Sequence, residues 1–123
     1  ETNADVPEAV CAALQVNPVR RRAAFDIGSG TTKLLVAEVD AEASRCNRLL
    51  LTREVPVLYG ADSKRTAEGR LSDEVQLEGI SVLRRLLDEA RDLQVESVVA
   101  VATEVFRRAP NGACFAARVR REL

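Results

Sequence analysis

Residues 24–39, Ala-Phe-Asp-Ile-Gly-Ser-Gly-Thr-Thr-Lys-Leu-Leu-Val-Ala-Glu-Val, constrain the fold more than any other stretch of this chain. A short apolar strand (Ala23, Ala24, Phe25, Ile27) runs into a Gly-Ser-Gly-Thr-Thr turn, and a second apolar strand, Leu34 to Val39, follows at once. Two readings of the turn are open. In one, Gly28 and Gly30 only close a tight β-hairpin, where glycines and hydroxyls are common. In the other, the glycines adopt positive φ and let the backbone approach a ligand. Successive N–H groups, with hydroxyls from Ser29, Thr31 and Thr32, then line a concavity for phosphate oxygens. Asp26 stands at the lip of that turn. It would repel a phosphate unless a divalent cation lay between them, so the set reads as a metal–phosphate cradle.

The rest of the chain supplies a scaffold for such a turn. The apolar pattern predicts strands over 21–27, 31–40 and Asn47–Val55, the last two joined by a turn over Asp40–Cys46, as an antiparallel meander. Val57–Arg70 reads as an irregular polar loop, either flanking a substrate or serving as a plain crossover linker. Ser72 is a good N-cap, followed by Asp73 and Glu74 where the helix dipole favours negative charge. The helix it opens has an apolar stripe of Ile80, Leu83, Leu87 and Ala90, widened by Leu86 and Leu93. Arg84 with Asp88, and Arg85 with Glu89, have the spacing of ion pairs on its outer face. Gly79 inside this helix suggests close approach of a neighbouring strand, since glycine otherwise weakens a helix.

Val98–Ala102 is continuous apolar sequence, as expected of a parallel strand buried on both faces. Residues 104–109 read as a turn or short helical piece. Asn111 is placed to cap a last helix over 112–122, with Phe115, Ala116 and Val119 inward. The order β-β-β-α-β-α, with a right-handed crossover to a parallel strand, is an α/β, mixed-sheet, ribonuclease-H-like half-domain.

Residues 1–19 read as a separate leader or docking extension, with Val6, Val10, Ala13 and Leu14 at helical spacing between Pro7 and Pro18, and 20–123 as the domain proper. The chain begins at Glu1, not Met, as expected of a processed or excised polypeptide.

Composition narrows the chemistry. With 123 residues and 46% apolar content, the chain has room for one domain. Net charge is −1, and the cations are spread along the chain among acids, so nucleic acid is not the expected partner. No apolar run approaches bilayer length. Lys stands only at positions 33 and 64; every other one of the 18 cationic side chains is Arg, which suits bidentate contact with oxyanions. Histidine is absent, so zinc is not expected and acid–base chemistry falls to carboxylates. Cys11, Cys46 and Cys114 show no metal spacing and read as buried or half-buried free thiols, pointing to a reducing compartment, the cytoplasm or an organelle.

Three motifs together resemble the amino-terminal part of the exopolyphosphatase/guanosine pentaphosphatase (Ppx/GppA) family, within the actin–Hsp70–sugar kinase superfamily. They are Asp26-Ile27-Gly28-Ser29-Gly30-Thr31, then Gly69-Arg70-Leu71-Ser72, then Ala102-Thr103-x-x-x-Arg107-x-Ala109-x-Asn111. The third separates this family from sugar kinases, which share the glycine turn. The resemblance spans roughly residues 22–123. It implies hydrolysis of terminal phosphoanhydride bonds in inorganic polyphosphate or guanosine pentaphosphate, with Mg²⁺. On this resemblance Asp26 acts on the metal or a metal-bound water, and Gly28, Ser29, Gly30, Thr31 and Thr32 hold phosphate oxygens. Arg107 reaches the phosphate channel to neutralise charge on the transferring group.

Two departures stand out: Gly30 replaces the family's Asn, and Arg108 lies where the family often has an acid. The family's catalytic Glu, its second phosphate motif, the last strand of the half-domain and the second lobe all lie beyond the matched part. Glu122 is no substitute by position and reads as a solvated helix-end residue. The expectation is an amino-terminal phosphohydrolase portion, inactive alone and completed by a missing lobe or a partner chain that pairs with the sheet. A non-catalytic structural subunit and an ATP-dependent kinase half-domain are the alternatives.

Overall fold

The computed structural model of the protein describes residues 19–40, 42 and 45–123. The extension expected over 1–19 therefore lies outside the described residues, apart from Val19. Three strands open the described chain: β1 (Arg20–Ile27), β2 (Thr31–Asp40) and β3 (Arg45–Pro56). Helix α1 (Tyr59–Arg65) and a single 3₁₀ turn (Ala67–Gly69) follow. Then come the long helix α2 (Asp73–Asp92), strand β4 (Ser97–Ala102), and helices α3 (Glu104–Arg108) and α4 (Gly112–Glu122).

The four strands form one sheet in the order β3-β2-β1-β4. β1 pairs antiparallel with β2, from Arg20↔Val39 to Ile27↔Thr32, and β2 antiparallel with β3. β4 lies parallel to β1, from Arg22↔Ser97 to Ile27↔Ala102. A meander followed by a helical crossover to a parallel strand is the α/β, mixed-sheet half-domain that the element order implies. The crossover leaves β1 at the centre, and its carboxyl end beside that of β4.

Alternation along β1 and β2 turns Ala23, Phe25, Ile27, Thr32, Leu34 and Val36 to one face, where all are buried. α2 covers that face. Its stripe of Ile80, Leu83, Leu86, Leu87 and Ala90 is buried as the spacing predicts, together with Val75 and Val82. Ser72 caps the helix, its side chain accepting from the Val75 N–H at 3.1 Å. A second centre joins the short helices. Tyr59 of α1 meets Phe106 of α3 edge-on at 4.7 Å, and both lie 5.8 Å from Phe115 of α4.

Several expectations are corrected. The loop expected over Val57–Arg70 contains α1, which exists because Tyr59 is wholly buried and Asp62 nearly so. The nearest neighbour of Gly79 is a helix side chain, Tyr59, in place of the expected strand. The glycine is required by the Tyr59 hydroxyl, which sits where a Cβ at that position would have to be. Asn111 stands at the N-cap position of α4, but its side chain makes no cap bond. Its amide instead accepts from Leu71 N–H and donates to Leu71 C=O, each at 2.9 Å.

The local pairs expected on α2 give way to tertiary ones: Glu89 binds Arg53 of β3 at 2.8 Å, and Arg84 lies 3.8 Å from Glu122. Glu122 is thus an ion-pair partner, also bonded to Arg118 at 2.8 Å, and its carboxyl is held below the ordinary range chiefly by that Arg118 bond. Cys46 and Cys114 are free as expected but exposed, while Cys11 lies outside the described residues.

β4 is parallel but not doubly buried. Among the described residues its only neighbour is β1, so Val98, Val99 and Val101 are 46–59% exposed. No described helix is long and apolar enough to cross a membrane.

Candidate oxyanion site

The carboxyl ends of β1 and β4 open into a cleft of about 560 Å³. In open α/β sheets this end of the strands is where ligands bind. One wall is the β1–β2 turn: Asp26, Gly28, Ser29, Gly30, Thr31 and, across the hairpin from Asp26, Lys33. The facing wall comes from helices. α1 contributes Gly60, Ser63 and Lys64, and the β4–α3 junction contributes Thr103, Glu104 and Arg108.

Main-chain bonds set the turn. Gly28 N–H donates to Thr31 C=O at 3.0 Å, closing the hairpin. The Ser29 and Gly30 carbonyls accept from Gly60 N–H at 2.8 Å and Val57 N–H at 3.2 Å, which ties the turn to α1 and the segment before it. Among the described residues the Ser29 and Gly30 N–H groups have no protein acceptor. Neither Gly28 nor Gly30 has positive φ, contrary to the expectation for this turn; the positive-φ glycine is Gly69. Space decides instead. A Cβ at Gly28 would press on Thr31 O at 3.1 Å, whereas one at Gly30 would project into open room.

The structure therefore gathers Asp26, Gly28, Ser29, Gly30 and Thr31 on one wall. Thr32 lies in the core, fully buried, its hydroxyl without a partner among the described residues. Arg107 is exposed on α3 and is not among the cleft-lining side chains; Arg108, one residue and 100° further round the helix, is. The turn closes a hairpin, and it also faces the cleft.

Sequence reasoning missed Lys33, Lys64, Glu104 and Arg108. The two lysines carried a signal in their scarcity, and both line this cleft. No group of three or more metal-ligating side chains occurs among the described residues. Asp26 alone is compatible with Mg²⁺, which is commonly held by one or two carboxylates and completed by substrate phosphates and water.

The helical wall rests on side chains. Asp62 accepts from Ser72 N–H at 2.8 Å and from its hydroxyl at 2.5 Å, pinning α1 to the start of α2. Burial pushes the Tyr59 phenol well above its ordinary range, with the Glu78 carboxylate adding to the effect, so the group stays protonated. Ser63 donates to Gly69 C=O at 2.7 Å, and the single Thr66 hydroxyl proton is shared between Arg70 C=O and Ser63 C=O, the latter at 3.1 Å.

The sequence model of the Ppx/GppA phosphatase family matches residues 49–123. The chain belongs to this family. The matched part contains the Gly69–Ser72 and Ala102–Asn111 motifs and begins after the glycine turn. Among solved structures, the Aquifex aeolicus member of the Ppx/GppA family is 36% identical, with a TM-score of 0.74 over 85% of this chain and 33% of that one. An exopolyphosphatase-like protein at 22% identity (TM-score 0.71, 84% of this chain, 30% of that one) shares the fold. So does an exopolyphosphatase from Cytophaga hutchinsonii at 24% (TM-score 0.65, 84% and 31%). The chain thus spans about a third of the length of these structures. A comparison with curated proteins gave no match.

Proposed function

We propose that the chain carries the first phosphate-binding turn of a phosphoanhydride phosphohydrolase acting on inorganic polyphosphate or a guanosine polyphosphate. The observation that carries this reading is the turn wall: two N–H groups without protein acceptors, flanking hydroxyls, and room beside Gly30 for an oxyanion. Family membership supports the reaction class. Ser29 and Thr31 would orient phosphate oxygens and Lys33 would offset their charge. Asp26 is the residue that would hold Mg²⁺, which when bound would screen the phosphates and polarise the P–O bond.

On this reading the 123-residue chain binds phosphate without turning it over. Its cleft is bordered by exposed side chains, and a site open to water neither orients an in-line nucleophile nor excludes competing solvent. The β4 edge, unpaired among the described residues, supports the corollary that further polypeptide, from a second lobe or a partner chain, pairs with the sheet to complete the enzyme.

Gly30→Asp tests the turn. A Cβ there meets nothing within 4 Å, so the turn has room for the branch while a carboxylate enters the cleft. Calorimetric titration with inorganic phosphate in Mg²⁺ should show binding by the unsubstituted protein and at least about tenfold weaker binding by Gly30→Asp. Equal binding by the two would remove the turn from the site.

A further inference from the structure

We propose that Lys64 and Arg108 form a second oxyanion subsite, which takes a phosphate group further along the ligand whose first phosphate sits on the turn. This rests on the turn reading above and extends it. The main cleft runs on past Ser63 and Lys64 into an adjoining cavity of about 390 Å³, to which Thr66 and Gly69 are added. Lys64 from α1 and Arg108 from α3 border both spaces.

The charge of the two spaces differs. In the main cleft Asp26 and Glu104 stand against Lys33, Lys64 and Arg108. In the adjoining cavity the two cations have no carboxylate beside them among the lining residues. The hydroxyls of Ser63 and Thr66 are already committed to main-chain carbonyls, so Lys64 and Arg108 are the donors left for a ligand. Lys64 makes no ion pair with any described residue. Arg108 has only Glu104 one turn away, at 3.8 Å with both side chains more than two-thirds exposed, a pair of little worth in water.

The cavity has no aromatic side chain, and Val105 is its one apolar side chain, so it offers no stacking surface for a base. Its chemistry fits an anion joined to the first by a short linear chain, as in inorganic triphosphate or longer. A nucleoside at that end would leave both cations without a partner.

Calorimetry with orthophosphate and with inorganic tripolyphosphate in Mg²⁺, together with lysine-selective acylation read by mass spectrometry, tests this. Two lysines make the labelling specific to the cleft. The unsubstituted protein should bind tripolyphosphate at least about tenfold more tightly than orthophosphate, the factor a charged contact contributes. Tripolyphosphate, and not orthophosphate, should slow acylation of Lys64. Lys64→Gln and Arg108→Gln, both exposed positions with unchanged melting expected, should each shrink the affinity ratio to within about threefold. Orthophosphate binding without a tripolyphosphate advantage, unprotected Lys64, or variants that keep the full ratio would overturn the subsite alone. Binding of neither anion would overturn the turn reading and the subsite together.

Discussion

The two walls of the cleft are built by different means. The β1–β2 turn is fixed by its own backbone: a Gly28–Thr31 bond, two carbonyls anchored on residues 57 and 60, and the strand ladder on either side. The α1 wall is fixed by side chains reaching far along the sequence, Tyr59 against Gly79 and Asp62 on Ser72. A backbone-made wall tolerates a new side chain and loses binding without losing stability. A side-chain-made wall loses stability first, and binding follows because Lys64 is no longer held in place.

The largest expected break in that contrast is Gly79→Ala. Helix propensity alone would favour the change by about 1 kcal/mol. The Tyr59 hydroxyl occupies the place of the new methyl, however, and overpacking of a dense core costs about 1–3 kcal/mol or more. We expect a net loss of about 2 kcal/mol in urea unfolding. Tyr59→Phe removes a buried hydroxyl that has no acceptor, so it should cost little alone and recover part of the Gly79→Ala loss. Coupling of about 0.5–3 kcal/mol in the double-mutant cycle is the signature; strictly additive losses would show that the two residues do not share this space.

Asp62→Ala should come next, at about 2 kcal/mol, because it strips the acceptor from Ser72 N–H and hydroxyl at once. It should also reduce the tripolyphosphate advantage although residue 62 does not line the cleft. Stability loss with the affinity ratio intact would mean that α1 does not position Lys64. Gly30→Asp is the opposite case: a change in unfolding free energy within about 0.5 kcal/mol accompanying its loss of phosphate binding.

The smallest effect is one of pH, away from both walls. Glu38, bonded to Arg48 and near Arg21, and Glu122, bonded to Arg118, are held below the ordinary 4.5. Each binds its proton less readily folded than unfolded. Their contribution is complete above pH 4.5 and is lost as the pH falls through the lowered values. Melting temperature should therefore decline slightly more in acid for the unsubstituted protein than for Glu122→Gln; parallel declines would assign the acid loss elsewhere.

What the sequence revealed follows the range of the interaction responsible. β1, β2, β3, α2 and α4 were legible because each is written locally, in alternation, an apolar stripe or a Ser72 cap. The turn wall was legible for the same reason, five of its six cleft-lining residues being nearly consecutive and Lys33 the one left out. α1 was hidden because Tyr59–Arg65 has no amphipathic period of its own and is helical through Tyr59 packing on residues 79, 106 and 115.

Long-range partners also displaced short-range ones. Asn111 found Leu71 in place of its own helix, and Glu89 found Arg53 in place of Arg85. The helical wall of the site, Lys64, Glu104 and Arg108, belongs to this second class, since it exists only once α1 and α3 are docked. Only the scarcity of lysine hinted at it.

The bare flank of β4 has a practical outcome for anyone handling this polypeptide. Ser97–Ala102 carries no charge and no proline; among the described residues its outer side pairs with no strand, and Val98, Val99 and Val101 are exposed. Such a border is a template onto which another molecule can add, strand upon strand. Concentrated preparations should thicken into β-rich oligomers over time, and a single lysine at Val99 should lengthen their storage life.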